Sequence, residues 1–237
     1  MVIFWYTGRV NSDDYTPNKE VLSYLGKVYF VGVVGPTAVG KSTLIDRALQ
    51  RDKHGLHLVR STTSRNPRAG EEDGVDMHFR SRQDMERRID RQEYVTVVSV
   101  FDNLYATAPE DYASEGISVM PLIADAVPVF QEVPFQMFRT VFVLPPSAEE
   151  WQNRIRERRM PDEQLQKRLD EATSSLEYAC SSSDVIFVLN DDIDVATEVF
   201  LGALHDNDID PAHQKACRQL AQKLLDELTQ HREAFSS

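Results

Sequence analysis

Positive charge is in deficit in this sequence: 26 Lys and Arg stand against 38 Asp and Glu, a formal net charge of −12. That balance argues against general nucleic-acid binding, although local basic clusters are allowed. Cysteine is also sparse. Cys180 and Cys217 have neither metal-ligand spacing nor a disulfide framework, so reduced thiols in a cytoplasmic protein are expected. No apolar run approaches the length that spans a bilayer, so no membrane contact is expected, and no internal repeat or low-complexity tract is present. Residues 1–6 are apolar but too short for a signal h-region, with no basic residue ahead of them; an extra strand or a docking segment is expected there.

What is present fits one domain. A chain of 237 residues can bury a sizeable core and still carry a small mobile subdomain. Residues 11–19 are polar around a Thr16-Pro17-Asn18 turn, so the regular fold is expected to begin near Val21 or Val28. Strand-like runs fall at 28–34, 56–60, 94–101, 117–123, 140–144 and 184–189. Helical patterns fall at 41–50, 82–90, 148–157, 162–180 and 195–204. This alternation predicts an α/β fold with a mainly parallel sheet covered by helices. A last helix over 211–235 repeats Ala216, Leu220, Leu224, Leu225 and Leu228 as an apolar stripe behind Pro211. The stripe is read as packing against the domain, with a homodimer surface as the alternative.

Gly35-Pro36-Thr37-Ala38-Val39-Gly40-Lys41-Ser42 spells G-x-x-x-x-G-K-[ST] directly after the apolar run 28–34. The glycines let the backbone curl so that successive N–H groups face one concavity, and the following helix adds partial positive charge at its N-terminus. A polyphosphate suits that concavity, with Lys41 reaching the outer phosphates and Ser42 holding Mg²⁺. Ligands of an open α/β sheet gather at the strands' carboxyl ends, where this loop sits.

A second anion-binding pattern follows in Ser61-Thr62-Thr63-Ser64-Arg65-Asn66-Pro67-Arg68-Ala69-Gly70-Glu71-Glu72-Asp73-Gly74. Two arginine forks three residues apart, with hydroxyls ahead of them, suit the oxygens of a phosphate. Arg80, Arg82, Arg87, Arg88 and Arg91 form a basic run read as a solvated helix face, and Trp151 is read as a packing residue.

Taken together, these segments resemble the guanylate kinase family, with its G-P-[ST]-x-x-G-K-[ST] loop and S-x-T-T-R-x-x-R-x-G-E-x-x-G-x-x-Y-x-F element. The likeness continues through Glu93-Tyr94, Asn103-Leu104-Tyr105-Ala106-Thr107, Val143-Leu144-Pro145-Pro146-Ser147, the arginines Arg154 and Arg158 with Lys167-Arg168-Leu169, and Val188-Leu189-Asn190-Asp191-Asp192. It spans 28–204 in one order. The resemblance implies a P-loop NTPase-type parallel sheet flanked by helices, formed by 28–60 and 108–205. It also implies an acceptor-binding subdomain at 61–107 and a helical lid at about 154–168, between an N-terminal extension, 1–27, and the C-terminal helix within 206–237. ATP and Mg²⁺ would be held by Gly35, Thr37, Ala38, Val39, Gly40, Lys41, Ser42 and Thr43, with Asn190 near the adenine. Lys41, Arg158 and Arg168 would offset charge on the donor, while Arg65 and Arg68 with Ser61, Glu71 and Tyr105 would hold the phosphate of a nucleoside monophosphate or a related phosphate ester.

The family's base-reading positions differ here. A phosphate-contacting tyrosine becomes Met77, and the glutamate that accepts from guanine's edge falls on Thr96; Thr107, at the end of the Asn103–Thr107 element, is a further implied substrate contact. The strand-end acids land on Pro121-Leu122-Ile123 without a gap, or on Asp125 with a shift of two residues; both registers stay open. Phosphate recognition survives better than base recognition, which implies the same reaction on GMP, dGMP or another acceptor. The alternatives are a catalytically weak binding module for a phosphorylated or anionic partner, and a nucleotide-dependent switch. An intact loop beside an altered base pocket favours changed specificity.

Overall fold

The computed structural model describes residues 15–68, 70–100, 102–205 and 209–235. The expectation for residues 1–6 lies outside them. The elements in order are α1 (Lys19–Leu25), β1 (Tyr29–Val34), α2 (Lys41–Arg51), β2 (Leu56–Leu58), β3 (Thr62–Thr63), β4 (His78–Phe79), α3 (Arg82–Asp90), β5 (Thr96–Val100) and β6 (Asn103–Thr107). Then come β7 (Ile117–Pro121), α4 (Val127–Gln131), β8 (Met137–Leu144), α5 (Ala148–Glu157), α6 (Asp162–Ser181), β9 (Val185–Leu189), α7 (Ile193–Leu204) and α8 (Pro211–Gln230). One sheet has five strands in the order β2-β7-β1-β8-β9, parallel and flanked by helices; the other has four, β4-β3-β6-β5.

The chain divides into two compact units. The first takes the described residues up to Phe30 with those of His57–Met120 and Pro128–Phe138. Its small sheet pairs β3 with β4 in parallel and β6 antiparallel with both β3 and β5, in the register Thr63↔Tyr105 and Thr96↔Thr107. Met85 and Ile89 of α3 pack with Tyr94, Val97, Leu104 and Ala106, and Tyr15 covers that cluster. A second apolar group centres on Phe30, whose ring meets Tyr112, Phe130, Phe135 and Phe138 at 5.0–5.5 Å.

The second unit takes Val31–Leu56, Pro121–Val127 and Arg139–Ser237. Here β8 and β9 run parallel from Thr140↔Val185 to Leu144↔Leu189, and their Phe142 and Phe187 rings meet edge to face at 5.9 Å. Helix α2 packs on α7, and α6 on α8. Side-chain caps define the helix starts, as Ser147 does for α5 and Asp192 for α7.

The long periodic elements fall where the pattern predicts them, and the differences have local causes. Helix α1 begins at Lys19 because Asn18 accepts from the N–H groups of Glu20 and Val21, a cap placed right after the Pro17 turn. The two-residue strands β3 and β4 are too short to show a period of two. The last helix ends at Gln230, with a separate 3₁₀ turn over Arg232–Phe235. Its buried face is Cys217, Ala221, Leu224 and Leu228, whereas Ala216 is exposed; the stripe is rotated from the expected one. That face is turned inward within the chain, as the packing reading expected.

Candidate active site

The glycine loop leaves β1 and enters α2 through backbone conformations that most side chains avoid. Gly35, Ala38 and Gly40 have φ of +145°, +64° and +92°. A Cβ on Gly35 would come within 2.5 Å of the Val143 carbonyl oxygen, and one on Gly40 would collide with the Asn190 side-chain amide. Ala38 lacks glycine's freedom, so its left-handed conformation must be imposed by its surroundings.

Two hydrogen bonds impose it. The indole Nε1–H of Trp151 donates to the Thr37 carbonyl at 2.8 Å, and the Asn190 Nδ2 amide donates to the Val39 carbonyl at 2.7 Å. In a planar trans peptide the C=O and the following N–H point opposite ways. Pinning these carbonyls therefore aims the N–H groups of Ala38 and Gly40 in the reverse direction. Helix α2 has no side-chain cap, so its first N–H groups add to the same donor set. Asn190 is itself anchored, its N–H donating to Leu144 O at 2.8 Å and its carbonyl accepting from Arg154 Nη1 at 3.1 Å. The structure thus gives Asn190 a loop-shaping contact, where the family likeness implied nearness to adenine.

Lys41 folds back over the loop, its ammonium donating to the carbonyls of Gly35 and, at 3.0 Å, Pro36. Burial pulls its pKa down to about 8; Glu171 opposes that shift, and the charges of Arg168 and Arg158 add to it. Arg158 is likewise lowered, by burial and then by Arg168. Arg168 donates to Glu171 at 2.5 Å. Lys41, Arg158 and Arg168 therefore form one positive field, partly offset by Glu171. Ser42 and Thr43 are exposed at the start of α2. Asp125 lies in a 3₁₀ turn beyond β7, its carboxyl raised by burial and then by Glu171 and Glu177, while Leu122 is buried with its N–H on Val33 O.

In the first unit Arg65 is enclosed on several sides. Glu71 takes its two terminal nitrogens at 2.6 and 2.7 Å, Met77 Sδ lies 3.5 Å from Nη2, and the Phe79 ring centroid is 5.3 Å from the guanidinium carbon. Met77, at the family's tyrosine position, thus fills the space beside the arginine without offering a hydroxyl. The Arg65 pKa is raised, first by its hydrogen bond to Glu71, and the Tyr105 phenol adds to that effect. Arg68 is exposed, and its backbone N–H donates to Glu71 at 2.7 Å. Hydrogen bonding to Arg65 drives the Glu71 carboxyl down to about 2. The Nε of Arg65 is buried without a partner, so Glu71 does not exhaust the clamp's donors. Ser61 is buried, its carbonyl accepting from His78 N.

Thr96 and Thr107 sit directly across from one another on β5 and β6. Their hydroxyls are 2.9 Å apart, and the Thr107 hydroxyl is 2.8 Å from the Tyr112 phenol, forming a buried three-hydroxyl chain. Burial pushes the Tyr112 phenol far up, so it stays neutral and can donate to Thr107 or accept from it. The sequence marks Trp151 only as a packing residue and gives Glu171 and Tyr112 no role, yet all three contact the candidate site residues. Trp151 and Glu171 bear on residues distant in the chain, Thr37 and Lys41, while Tyr112 joins Thr96 and Thr107, two positions the family likeness already marks.

A glycine loop running from a strand of a parallel five-stranded sheet into a helix, with a lysine and two arginines beside it, defines a P-loop kinase fold. The sequence model of the guanylate kinase family matches residues 29–207, and the chain belongs to that family of nucleoside monophosphate kinases. It is similar to the guanylate kinase of Caldanaerobacter subterraneus subsp. tengcongensis, 34% identical over 173 residues, 70% of this chain and 81% of that protein. The guanylate kinase of Schizosaccharomyces pombe is 31% identical over 172 residues, 70% and 85% of the two chains. Among solved structures, a guanylate kinase from Anaplasma phagocytophilum superposes with a TM-score of 0.57 at 23% identity, over 78% of this chain and 87% of that one, which supports the fold. The binding-module alternative finds no support in these relatives. Among the described residues no helix is long and apolar enough to cross a membrane.

Proposed function

We propose that this enzyme transfers the γ-phosphoryl group of ATP to the phosphate of GMP or dGMP, with weaker discrimination between bases than a carboxylate-lined pocket gives. The observation that carries the reading is the shared field of Lys41, Arg158 and Arg168 beside a loop whose Ala38 and Gly40 amides are pre-aimed. Phosphoryl transfer needs little covalent help from protein; it needs positioning and positive charge where two polyanions meet.

The residues fit a bound triphosphate. The loop amides and the open start of α2 supply N–H donors, and Lys41, now resting on two carbonyls, is free to exchange them for phosphate oxygens. Mg²⁺ held between the nucleotide and the Ser42 hydroxyl would neutralise charge on the transferring group. The described residues offer no cluster of acids or imidazoles that would hold a metal by itself, so the ion would arrive with the nucleotide. Arg65 and Arg68 take the acceptor phosphate, Arg65 by exchanging Glu71 for phosphate oxygens. Thr96 and Thr107, buried and hydrogen-bonded to each other, would exchange that bond to meet the base with hydroxyls, which can donate or accept. A carboxylate would insist on N–H groups.

The test is initial-rate transfer from ATP to a panel of GMP, dGMP, IMP, AMP, CMP and UMP, with Lys41→Ala as control. GMP or dGMP should be fastest and IMP close behind. ATP hydrolysis without transfer to any acceptor would refute the reading.

A further inference from the structure

Residues 211–235 lie beyond the stretch that matches the family, 29–207. They nevertheless reach the parts of the fold that carry the donor site. Helix α8 starts at the Asp210 cap with Pro211 in its first turn, and from there Gln214 bonds both the N–H and the C=O of Phe187 on β9, at 2.7 and 3.0 Å. Arg218 takes the Ala179 and Ser182 carbonyls at the end of α6, both at 2.8 Å. The chain then turns, and Arg232 bonds Asp170 at 2.6 Å on α6, two residues from Arg168. Phe235 ends this path fully buried, its ring edge-on to Trp151 at 4.9 Å between centroids.

Trp151 is the residue whose indole N–H holds the Thr37 carbonyl. We infer that the 211–235 segment is a brace for the phosphate loop, and that Phe235 is a positioning residue that acts on ATP binding through Trp151 and Thr37. The physical argument starts at Ala38. Its left-handed φ is costly for a residue with a Cβ and persists only if neighbouring contacts over-determine it. One of the two carbonyl bonds that do so depends on the direction of an indole, and Phe235 closes the packing around that indole. Replacing it by a small residue leaves a void into which the indole can swing, and the Ala38 N–H loses its aim.

The inference rests on reading the glycine loop as the ATP site, and the experiment separates the two. Full-length native chain, Phe235→Ala, Phe235→Leu and Trp151→Phe are compared by titration with a fluorescent ATP analogue and by donor and acceptor KM. Phe235→Ala should raise the analogue Kd and the donor KM about tenfold, the scale of one lost hydrogen bond, and leave the acceptor KM within about twofold. Phe235→Leu should recover most of the affinity. Trp151→Phe keeps the ring packing but removes the N–H donor, and should reproduce the donor-side rise with native-like circular dichroism. Equal rises in donor and acceptor KM, or an unchanged analogue Kd in both Phe235→Ala and Trp151→Phe, would overturn the brace. A native chain that binds no ATP analogue would overturn the underlying reading and the brace with it.

Discussion

Glu71 and Arg65 face each other through two parallel hydrogen bonds, 2.6 and 2.7 Å, with the Arg65 side chain only 11% exposed. The same carboxylate ties down the Arg68 backbone N–H. An arginine held this way keeps its fork in one plane before any phosphate arrives, so less side-chain entropy is lost on binding. On the proposed reading, a phosphate that takes the two terminal nitrogens would exchange with the carboxylate already in place.

This pair makes stability depend on acid pH. Glu71 is held at about 2, below its ordinary 4.5, so the unfolded chain binds more protons in that interval. The stabilisation is fully present above about pH 4.5 and is lost as pH falls toward 2. Urea midpoints measured at pH 6, 4 and 2.5 should therefore fall more steeply for the native chain than for Glu71→Gln.

Lys41→Met should keep the fold and lose transfer. Removing one preorganised positive donor costs about 3 kcal/mol of transition-state stabilisation, a rate loss of roughly 10²–10³. Stopped-time assays with the best acceptor, run beside a thermal melt, would check both halves.

Lys41 also predicts proton uptake on nucleotide binding. Its pKa near 8 without ligand must rise when phosphate oxygens replace backbone carbonyls. Calorimetric titration of a non-hydrolysable ATP analogue at pH 8, in buffers of different ionisation enthalpy, should show uptake of up to roughly half a proton at this site. The Lys41-dependent uptake, taken as the difference from Lys41→Met, should shrink toward zero at pH 6.5, where the native ammonium is already charged. The sign for folding follows the same balance. Burial of the charged ammonium weighs against the ligand-free fold below about pH 8 and is relieved as pH rises from there toward 10.5.

Thr107→Val removes the middle hydroxyl of the Thr96–Thr107–Tyr112 chain and leaves a buried phenol without its partner. A loss of about 1–3 kcal/mol in unfolding free energy is expected, measured by denaturant titration. Thr107→Ser keeps the hydroxyl and should sit closer to the native value. On the acceptor side, Thr96→Glu should widen the kcat/KM ratio of GMP over IMP, because a carboxylate accepts from the N1 and 2-amino groups together while one hydroxyl does not.

Most of the fold could be read from residues close together in the chain. The G-x-x-x-x-G-K-[ST] run after 28–34 located a strand, a turn and a helix, because left-handed backbone, anion-facing amides and helix start all depend on residues a few positions apart. Arg65, Arg68 and Glu71 stand out for the same reason, and the structure bonds Glu71 to the Arg65 fork and to the Arg68 backbone N–H. Short elements escaped: β3 and β4 carry too few residues to establish a period, and α4 is a five-residue helix with Pro128 in it. The face of α8 was missed by one position, since Ala216 and Cys217 are both small and only contact with α6 and β9 selects between them.

What lay beyond the sequence is every role that depends on a distant partner. Trp151 read as packing, yet it sets the direction of a peptide plane 114 positions away, and Asn190 does the same across 151. Glu171 pairs with Arg168 three positions away on α6, and only packing brings that pair into the field of Lys41. Local backbone chemistry is written in neighbouring residues, whereas the aim of a hydrogen bond and the pKa of a lysine depend on distance and burial, and these exist only once the chain has packed.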